Sequence, residues 1–162
     1  MSTTPKEIIE ELGFGMVPNL FSTAEVNEDV QTGLWKPFRH LVLKGHLPRT
    51  VKEMMGVIIS REANSLYAAQ VHLHALTLQG IEEPVIEALN RGEVPPGVPN
   101  KTGLLLKFAF DAARAPHSPA PVQTLRDANF DEAEIVEAVA IVGLFRMLNT
   151  WTDVMAIPLD DL

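Results

Sequence analysis

The chain has 162 residues, of which 46% are hydrophobic and 21% charged, with a formal net charge of −8 at pH 7 and no cysteine. This length and composition are typical of one folded, soluble domain and exclude a disordered chain. The negative charge argues against nucleic acid or an anionic membrane as a partner. The missing cysteines exclude disulfides, zinc–thiolate sites and any thiol chemistry by this chain alone.

The sequence shows no targeting or membrane-spanning pattern. No apolar run approaches the ~18–20 residues that a membrane span needs. The N-terminal sequence lacks a basic region followed by an apolar stretch, which a signal peptide requires. We therefore expect a cytoplasmic protein without a membrane partner.

Hydrophobic residues spaced three and four apart predict an all-α fold, and no stretch alternates as a strand would. The segment 15–21 cannot be helical through Pro18. Pro37 either kinks a helix or lies in the first turn of a restarted one. The spacing predicts helices over residues 3–12, 24–44, 49–63, 65–79, 82–92, 101–116, 122–130 and 131–155.

The predicted helix 131–155 is the longest. Asp131 with Glu134 three residues later is typical of a capping box at its start. Its middle is apolar almost all round, so we expect it to be either the central buried helix or a seam between subunits.

The stretch 53–76 carries polar and titratable side chains in an otherwise apolar run. Asn64 and Ser65 interrupt it and resemble a helix N-cap. On the helix that follows, Ser65, Ala68 and His72 share one face. Glu53 reaches this face if the helices before and after the break pack antiparallel.

This spacing resembles the signature of the alkylhydroperoxidase D (AhpD) and carboxymuconolactone decarboxylase family, which reads Glu, eleven residues, Cys-x-x-Cys, three residues, His. Glu53 and His72 occupy the outer positions with the gaps intact. Ser65 and Ala68 stand where the signature has its two cysteines. Tyr67 matches a tyrosine common between those cysteines in the peroxidase-related branch.

Further segments support the resemblance. Residues 15–21 are similar to the Gly-x-x-Pro-x-Leu-Phe element of that branch, and residues 104–149 are similar to its later helices. The resemblance implies a single AhpD-like helical domain over residues 1–162, with a core of about 15–155, that assembles as a homo-oligomer. Large apolar helices in a small chain favour an oligomer on physical grounds as well.

In the family, a dithiol reduces a peroxide, and the resemblance implies that Glu53, Tyr67 and His72 handle protons beside it. Without sulfur, cysteine-type peroxidase activity is not expected. The first alternative is non-redox acid–base chemistry, as in the decarboxylase branch, or small-ligand binding in a Glu53/His72 pocket. Small acidic or carbonyl-bearing molecules suit such a pocket.

Two other interpretations stay open. Ser65 is a candidate nucleophile activated by His72, although seven residues separate the two by ~10–11 Å along the helix. Alternatively the chain is a catalytically silent structural or binding homologue, in which Ser65 only caps the helix and Tyr67 is a core ring. No cofactor is expected. No metal is expected either, because His72 and His74 point to opposite sides of their helix, which is poor geometry for chelation.

Overall fold

The computed structural model describes residues 5–162, so residues 1–4, including the start of the predicted helix 3–12, lie outside the described residues. All regular structure within residues 5–162 is helical, as predicted. In chain order it comprises α1 (Pro5–Leu12), α2 (Asn19–Ser22), a 3-10 helix (Thr23–Val26), α3 (Glu28–Leu41), α4 (Arg49–Glu62), α5 (Leu66–Leu78), α6 (Glu83–Asn90), α7 (Asn100–Arg114), α8 (Ala120–Asp127) and α9 (Glu132–Val154).

The region before α3 differs from the prediction. The chain is already helical from Asn19, because Pro18 ends the non-helical segment and leads directly into α2. Asn27 then breaks the predicted helix 24–44 with an extended conformation (φ −139°, ψ 99°). Its side chain accepts a hydrogen bond from the Val30 backbone N–H, which caps α3 one residue later. Pro37 lies inside α3, which continues to Leu41.

Helix α4 lies at the centre of the fold and packs against α5, α6, α7 and α9. Every residue from Val51 to Ser60 is buried. The predicted capping box at the start of α9 is confirmed, since the Asp131 side chain accepts from the Glu134 N–H at 2.8 Å and the Glu134 side chain accepts from the Asp131 N–H at 3.1 Å. Helices α4 and α9 therefore both contribute to the core of the fold.

Helix α9 is buried on one side and exposes an apolar stripe on the other. Within residues 5–162 it alone is long and apolar enough to cross a membrane, and 56% of its apolar window is buried inside the protein. Buried core helices meet the same criteria, so this is weak support for a membrane span. Its exposed apolar side chains are compatible with the expected homo-oligomer, which stays a prediction; they include Val136, Val139, Met147 and Val154.

A buried ion pair joins α4 to α9. Lys52, which is fully buried, donates from Nζ to the Glu137 carboxylate and to the backbone carbonyl of Lys44. Burial on its own would raise the pKa of Glu137, but the Lys52 ammonium and the backbone N–H of His46 together hold this pKa below its ordinary value. The Glu137 carboxylate is therefore charged at neutral pH, and its contact with Lys52 links the two helices.

The loop before α4 wraps around the same carboxylate. The backbone N–H groups of His46 and Leu47 donate to Glu137 at 2.6 Å and 3.3 Å. Gly45 has φ +109°, and a Cβ there would overlap the Glu137 carboxylate. A glycine is thus required at position 45 for both the backbone conformation and the close approach.

Candidate functional site

Helices α4 and α5 form an antiparallel hairpin that brings Glu53 to His72, as the spacing predicts. Oε2 of Glu53 lies 2.7 Å from Nδ1 of His72. Both residues are buried, at 1% and 4% exposed. The hairpin turns at Asn64, which has φ +55°, and this left-handed residue allows α5 to start immediately after α4.

Arg49 also pairs with the Glu53 carboxylate. Nε of Arg49 lies 3.3 Å from the other Glu53 oxygen, and Nη2 of Arg49 donates to the Leu12 carbonyl at 3.2 Å. A buried carboxylate costs free energy unless it is paired. Arg49 lies four residues before Glu53 on the same face of α4, which places the two side chains within reach of each other.

The imidazole of His72 is enclosed by α4 and α9. The Phe145 ring packs against it with the ring centroids 4.4 Å apart. Gly56 also lies against the ring, since a Cβ there would approach three ring atoms of His72 at 2.6–2.7 Å. Gly56 therefore creates the space in which His72 meets Glu53.

Replacing Gly56 by alanine should displace the His72 ring and destabilise the protein. The added methyl group overlaps the ring, and overpacking of this kind costs about 1–3 kcal/mol. Urea denaturation measures the loss of stability, and NMR of the His72 ring reports whether the bond to Glu53 persists. Gly33→Ala is the matched control, since Gly33 lies within α3 and a Cβ there meets nothing within 4 Å. That control should gain about 0.5–1 kcal/mol, and equal behaviour of the two variants would contradict the prediction.

Ser65 occupies the N-cap position of α5, but its side chain makes no capping hydrogen bond. The expectation that it caps the helix through its hydroxyl is therefore wrong. Instead Oγ donates to Oδ1 of Asp153, near the end of α9, at 2.7 Å. Within residues 5–162, no hydrogen bond joins Ser65 to His72, because each side chain has a different carboxylate partner. This arrangement does not support Ser65 as a nucleophile activated by His72.

Tyr67 lies in a separate hydrogen-bond network from Glu53 and His72. Its hydroxyl donates to Oδ2 of Asp160 at 2.5 Å and accepts from the Leu20 N–H at 2.9 Å. Burial and the Asp160 carboxylate raise the pKa of Tyr67 well above its ordinary value. The phenol therefore stays protonated, and in this structure it links α5 to the segments around Leu20 and Asp160.

The principal surface clefts do not reach the contact between Glu53 and His72. Neither Glu53 nor His72 lines any of the five principal clefts within residues 5–162. The largest, of about 570 Å³, lies between α4, α7 and α9, and we call it the α4–α9 cleft. The residues that define it are Ile59, Glu62, Arg114, Arg146, Asn149 and Asp153.

Asp153 lines this cleft and also accepts a hydrogen bond from the hydroxyl of Ser65. It therefore lies between the cleft and the first cysteine position of the AhpD signature. Sequence reasoning missed it, since no local pattern connects the end of α9 to the start of α5. No group of three or more metal-ligating side chains lies within residues 5–162. The neighbouring His74 packs edge-to-face on Phe14, away from the side where His72 contacts Phe145.

Solved structures that are similar to this chain identify its fold. No family model and no curated protein sequence matches the chain. Among solved structures, an uncharacterized peroxidase-related protein from Ralstonia eutropha JMP134, described as an AhpD core, is similar with a TM-score of 0.85 and 23% identity, covering 97% of this chain and 83% of that one. A peroxidase-related protein from Silicibacter sp. TM1040 is similar with a TM-score of 0.84 and 21% identity over the same shares.

The debrominase Bmp8, solved as a cysteine-to-alanine variant with 2,3,4-tribromopyrrole, is similar with a TM-score of 0.80 and 21% identity, covering 95% of this chain and 82% of that one. Identities at this level establish a common fold and leave activity open. The chain thus has the all-α AhpD-like fold of these peroxidase-related proteins, and it has Ser65 and Ala68 in place of the two cysteines of the AhpD signature.

Proposed function

We propose that this protein carries out a non-redox reaction on a small carbonyl-bearing acid, of the carboxymuconolactone decarboxylase type, with Glu53 and His72 as its proton-handling pair. The observation that carries the proposal is the 2.7 Å bond from His72 Nδ1 to Glu53, while Nε2 of His72 makes no hydrogen bond within residues 5–162. A histidine held at one nitrogen and free at the other is suited to moving protons.

The role of each group follows from this bond. Because the Glu53 carboxylate can only accept, the proton on His72 lies on Nδ1, which leaves the Nε2 lone pair as the base. After His72 takes a proton, Glu53 stabilises the imidazolium. General acid–base catalysis of this kind accelerates a reaction by roughly 100- to 10,000-fold. Thiol peroxidase chemistry has no place in the proposal, because the chain contains no cysteine.

The solved neighbours support a small organic ligand. Bmp8 has been solved with 2,3,4-tribromopyrrole, so one protein of this fold accommodates a small aromatic molecule. That ligand is bound to Bmp8. For the present chain it supports only a ligand of similar size.

A second candidate function is a catalytically silent structural or binding homologue. The specific observation that favours it is the enclosure of the pair, since Gly56 and Phe145 cover the His72 ring and no principal cleft of residues 5–162 reaches it. In that case Glu53, His72 and Arg49 form a buried structural network.

The test is transfer of solvent deuterium into unsaturated lactone acids, followed by NMR together with release of carbon dioxide. The native protein should accelerate one or both above buffer. His72→Gln and Glu53→Gln should lower the rate by about 100-fold or more, with folding checked by thermal melting. His117→Gln is the matched control, because His117 is an exposed loop residue. If the native protein accelerates neither deuterium transfer nor release of carbon dioxide with the lactone acids tested, the acid–base proposal is wrong and the protein is a catalytically silent homologue.

A further inference from the structure

We propose that the α4–α9 cleft binds a small organic monocarboxylate, whose carboxylate group is held by Arg146 and Asn149. The cleft does not include Glu53 or His72, so this site is separate from the proposed acid–base pair and stands or falls independently of it. Two groups that line the cleft support this site: the buried amide of Asn149, whose Nδ2 has no hydrogen-bond partner, and the guanidinium of Arg146, which has no ion-pair partner within residues 5–162.

The first observation is the amide group of Asn149. Asn149 is 4% exposed and lines the cleft, and its Nδ2 is buried without a hydrogen-bond partner. Its Oδ1 accepts only a long hydrogen bond of 3.4 Å from Ser60 Oγ. A buried donor without an acceptor costs free energy, and a ligand oxygen would remove this cost. The terminal torsion of asparagine is soft, so the amide group can turn to meet a ligand in the cleft that it lines.

The second observation is the cation on the same helical face. Arg146 lies three residues before Asn149 on α9, so both side chains point toward one region. The exposed Arg146 guanidinium forms no ion pair or hydrogen bond within residues 5–162. Its planar fork can hold a carboxylate through two parallel hydrogen bonds. Arg146 and Asn149 therefore offer three donors to one anionic group.

The other charges of the cleft are one ion pair and one carboxylate. Arg114 pairs with Glu62 at 3.6 Å, and Asp153 accepts the hydroxyl of Ser65 and keeps its negative charge. Arg146 is the cation of the cleft that has no ion-pair partner within residues 5–162, so it is available to bind an anion. Because Glu62 and Asp153 stand nearby, an anion with two or more charges would be repelled, which selects a single carboxylate.

The walls of the cleft suit the rest of such a molecule. Its volume of about 570 Å³ lies within the usual range for small-molecule sites. Apolar side chains from three helices face it, and they are Ile59, Ala63, Ala113 and Val154. A short aliphatic or aromatic group attached to the carboxylate would pack against them.

The experiment uses benzoate as the probe and benzamide as its neutral counterpart, titrated into the native protein and followed by amide chemical shifts. Benzoate should bind saturably in the millimolar range or tighter, with the largest shifts on α9 around Asn149, and benzamide should bind at least about tenfold more weakly. An absence of saturable shifts with benzoate, or equal binding of both probes, would overturn the proposal.

Arg146→Met should weaken benzoate binding at least about tenfold. The matched control is Arg126→Met, which removes an exposed guanidinium that pairs with Glu132 at 2.9 Å outside the cleft. Asn149→Asp keeps the shape and the acceptor for Ser60 but replaces the donor by a negative oxygen, so it should also weaken benzoate binding. Since Asn149→Asp changes a buried residue, its melting temperature is measured first, and Arg146→Met decides the matter if that variant does not fold. Benzoate binding that is unchanged in Arg146→Met overturns the proposal.

Discussion

Replacing Lys52 by methionine should lower the free energy of unfolding by about 3–5 kcal/mol at neutral pH. The change removes the ammonium that neutralises Glu137 and leaves a carboxylate buried between α4 and α9. Methionine fills a similar volume, so the loss comes from the uncompensated charge rather than from a cavity. Equilibrium urea denaturation of the native protein and the variant measures the difference.

The pH dependence of this effect follows from the lowered pKa of Glu137. A carboxylate whose pKa is lowered by folding adds stability above its unfolded pKa, and this stability is lost as the pH falls through the folded pKa. Without Lys52, burial raises the pKa of Glu137. At low pH this carboxylate is protonated in the variant, which then no longer contains a buried charge at position 137. The gap between native and variant stability should therefore be largest near pH 7. It should shrink as the pH falls first through the raised pKa of Glu137 in the variant and then through its lowered pKa in the native protein.

Two controls separate the buried pair from charge in general. Lys101→Met removes a lysine that pairs with Glu134 at an exposed position, and it should cost less than about 1 kcal/mol. The double variant Lys52→Met, Glu137→Gln removes both charges and keeps an oxygen that accepts from His46, so it should recover most of the lost stability. A loss of less than about 1 kcal/mol in Lys52→Met, or no recovery in the double variant, would contradict the prediction.

Restoring the two cysteines of the AhpD signature should not by itself restore an efficient peroxidase. The native protein should consume no peroxide with a dithiol reductant. The variant Ser65→Cys, Ala68→Cys should consume it only slowly, because Asp153 lies 2.7 Å from the position 65 side chain. A neighbouring carboxylate raises the pKa of a thiol and lowers the fraction of reactive thiolate.

Adding Asp153→Asn to the two cysteines should raise peroxide consumption at pH 7 roughly tenfold. The cause is checked in Ser65→Cys alone, where the pH profile of alkylation by iodoacetamide should move to lower pH when Asp153→Asn is added. Asp111→Asn is the matched control, since Asp111 pairs with Lys107 at the surface. If the two-cysteine variant is fully active while Asp153 is intact, or if Asp153→Asn leaves the alkylation profile unchanged, Asp153 does not govern reactivity at position 65.

The contact between Glu53 and His72 could be predicted because it depends on local helical geometry. Two helices joined by a tight turn at Asn64 pack against each other almost unavoidably, and the spacing of their polar residues then fixes which of them meet. The same logic makes Arg49 predictable, as it lies one turn before Glu53. The all-α fold follows from periodicity for the same reason.

The partners of Ser65, Tyr67 and Lys52 could not be predicted in this way. Asp153 is 88 residues from Ser65 and Asp160 is 93 residues from Tyr67. Such contacts are set by how distant helices pack, and a single aspartate near a helix end resembles any solvated residue in the sequence. The predicted role of Tyr67 in proton handling came from the resemblance and stays a prediction, whereas Ser65 was a candidate nucleophile and has Asp153 rather than His72 as its partner.

The start of α3 shows a local signal that the spacing of apolar residues concealed. Val30, Leu34 and Phe38 continue a helical period, and this period extends backward past the true boundary. Asn27 followed by Glu28 and Asp29 is a typical helix start, with a capping side chain and acidic residues in the first turn. The capping signal should take precedence over periodicity at such a boundary.

The network around Tyr67 also constrains the order in which the protein can mature during synthesis. Asn19 donates its backbone N–H to Asp160 at 2.7 Å, across 141 residues of chain, and Asp160 in turn accepts from Tyr67. While the ribosome is still adding residues before position 160, the early segment at Asn19 has no partner for this bond and α5 lacks its phenol acceptor. The α4–α5 hairpin can form early from neighbouring residues. The bonds to Asp160 are therefore the last of this network to form, after the bond from the Leu20 N–H to the Tyr67 hydroxyl has become possible.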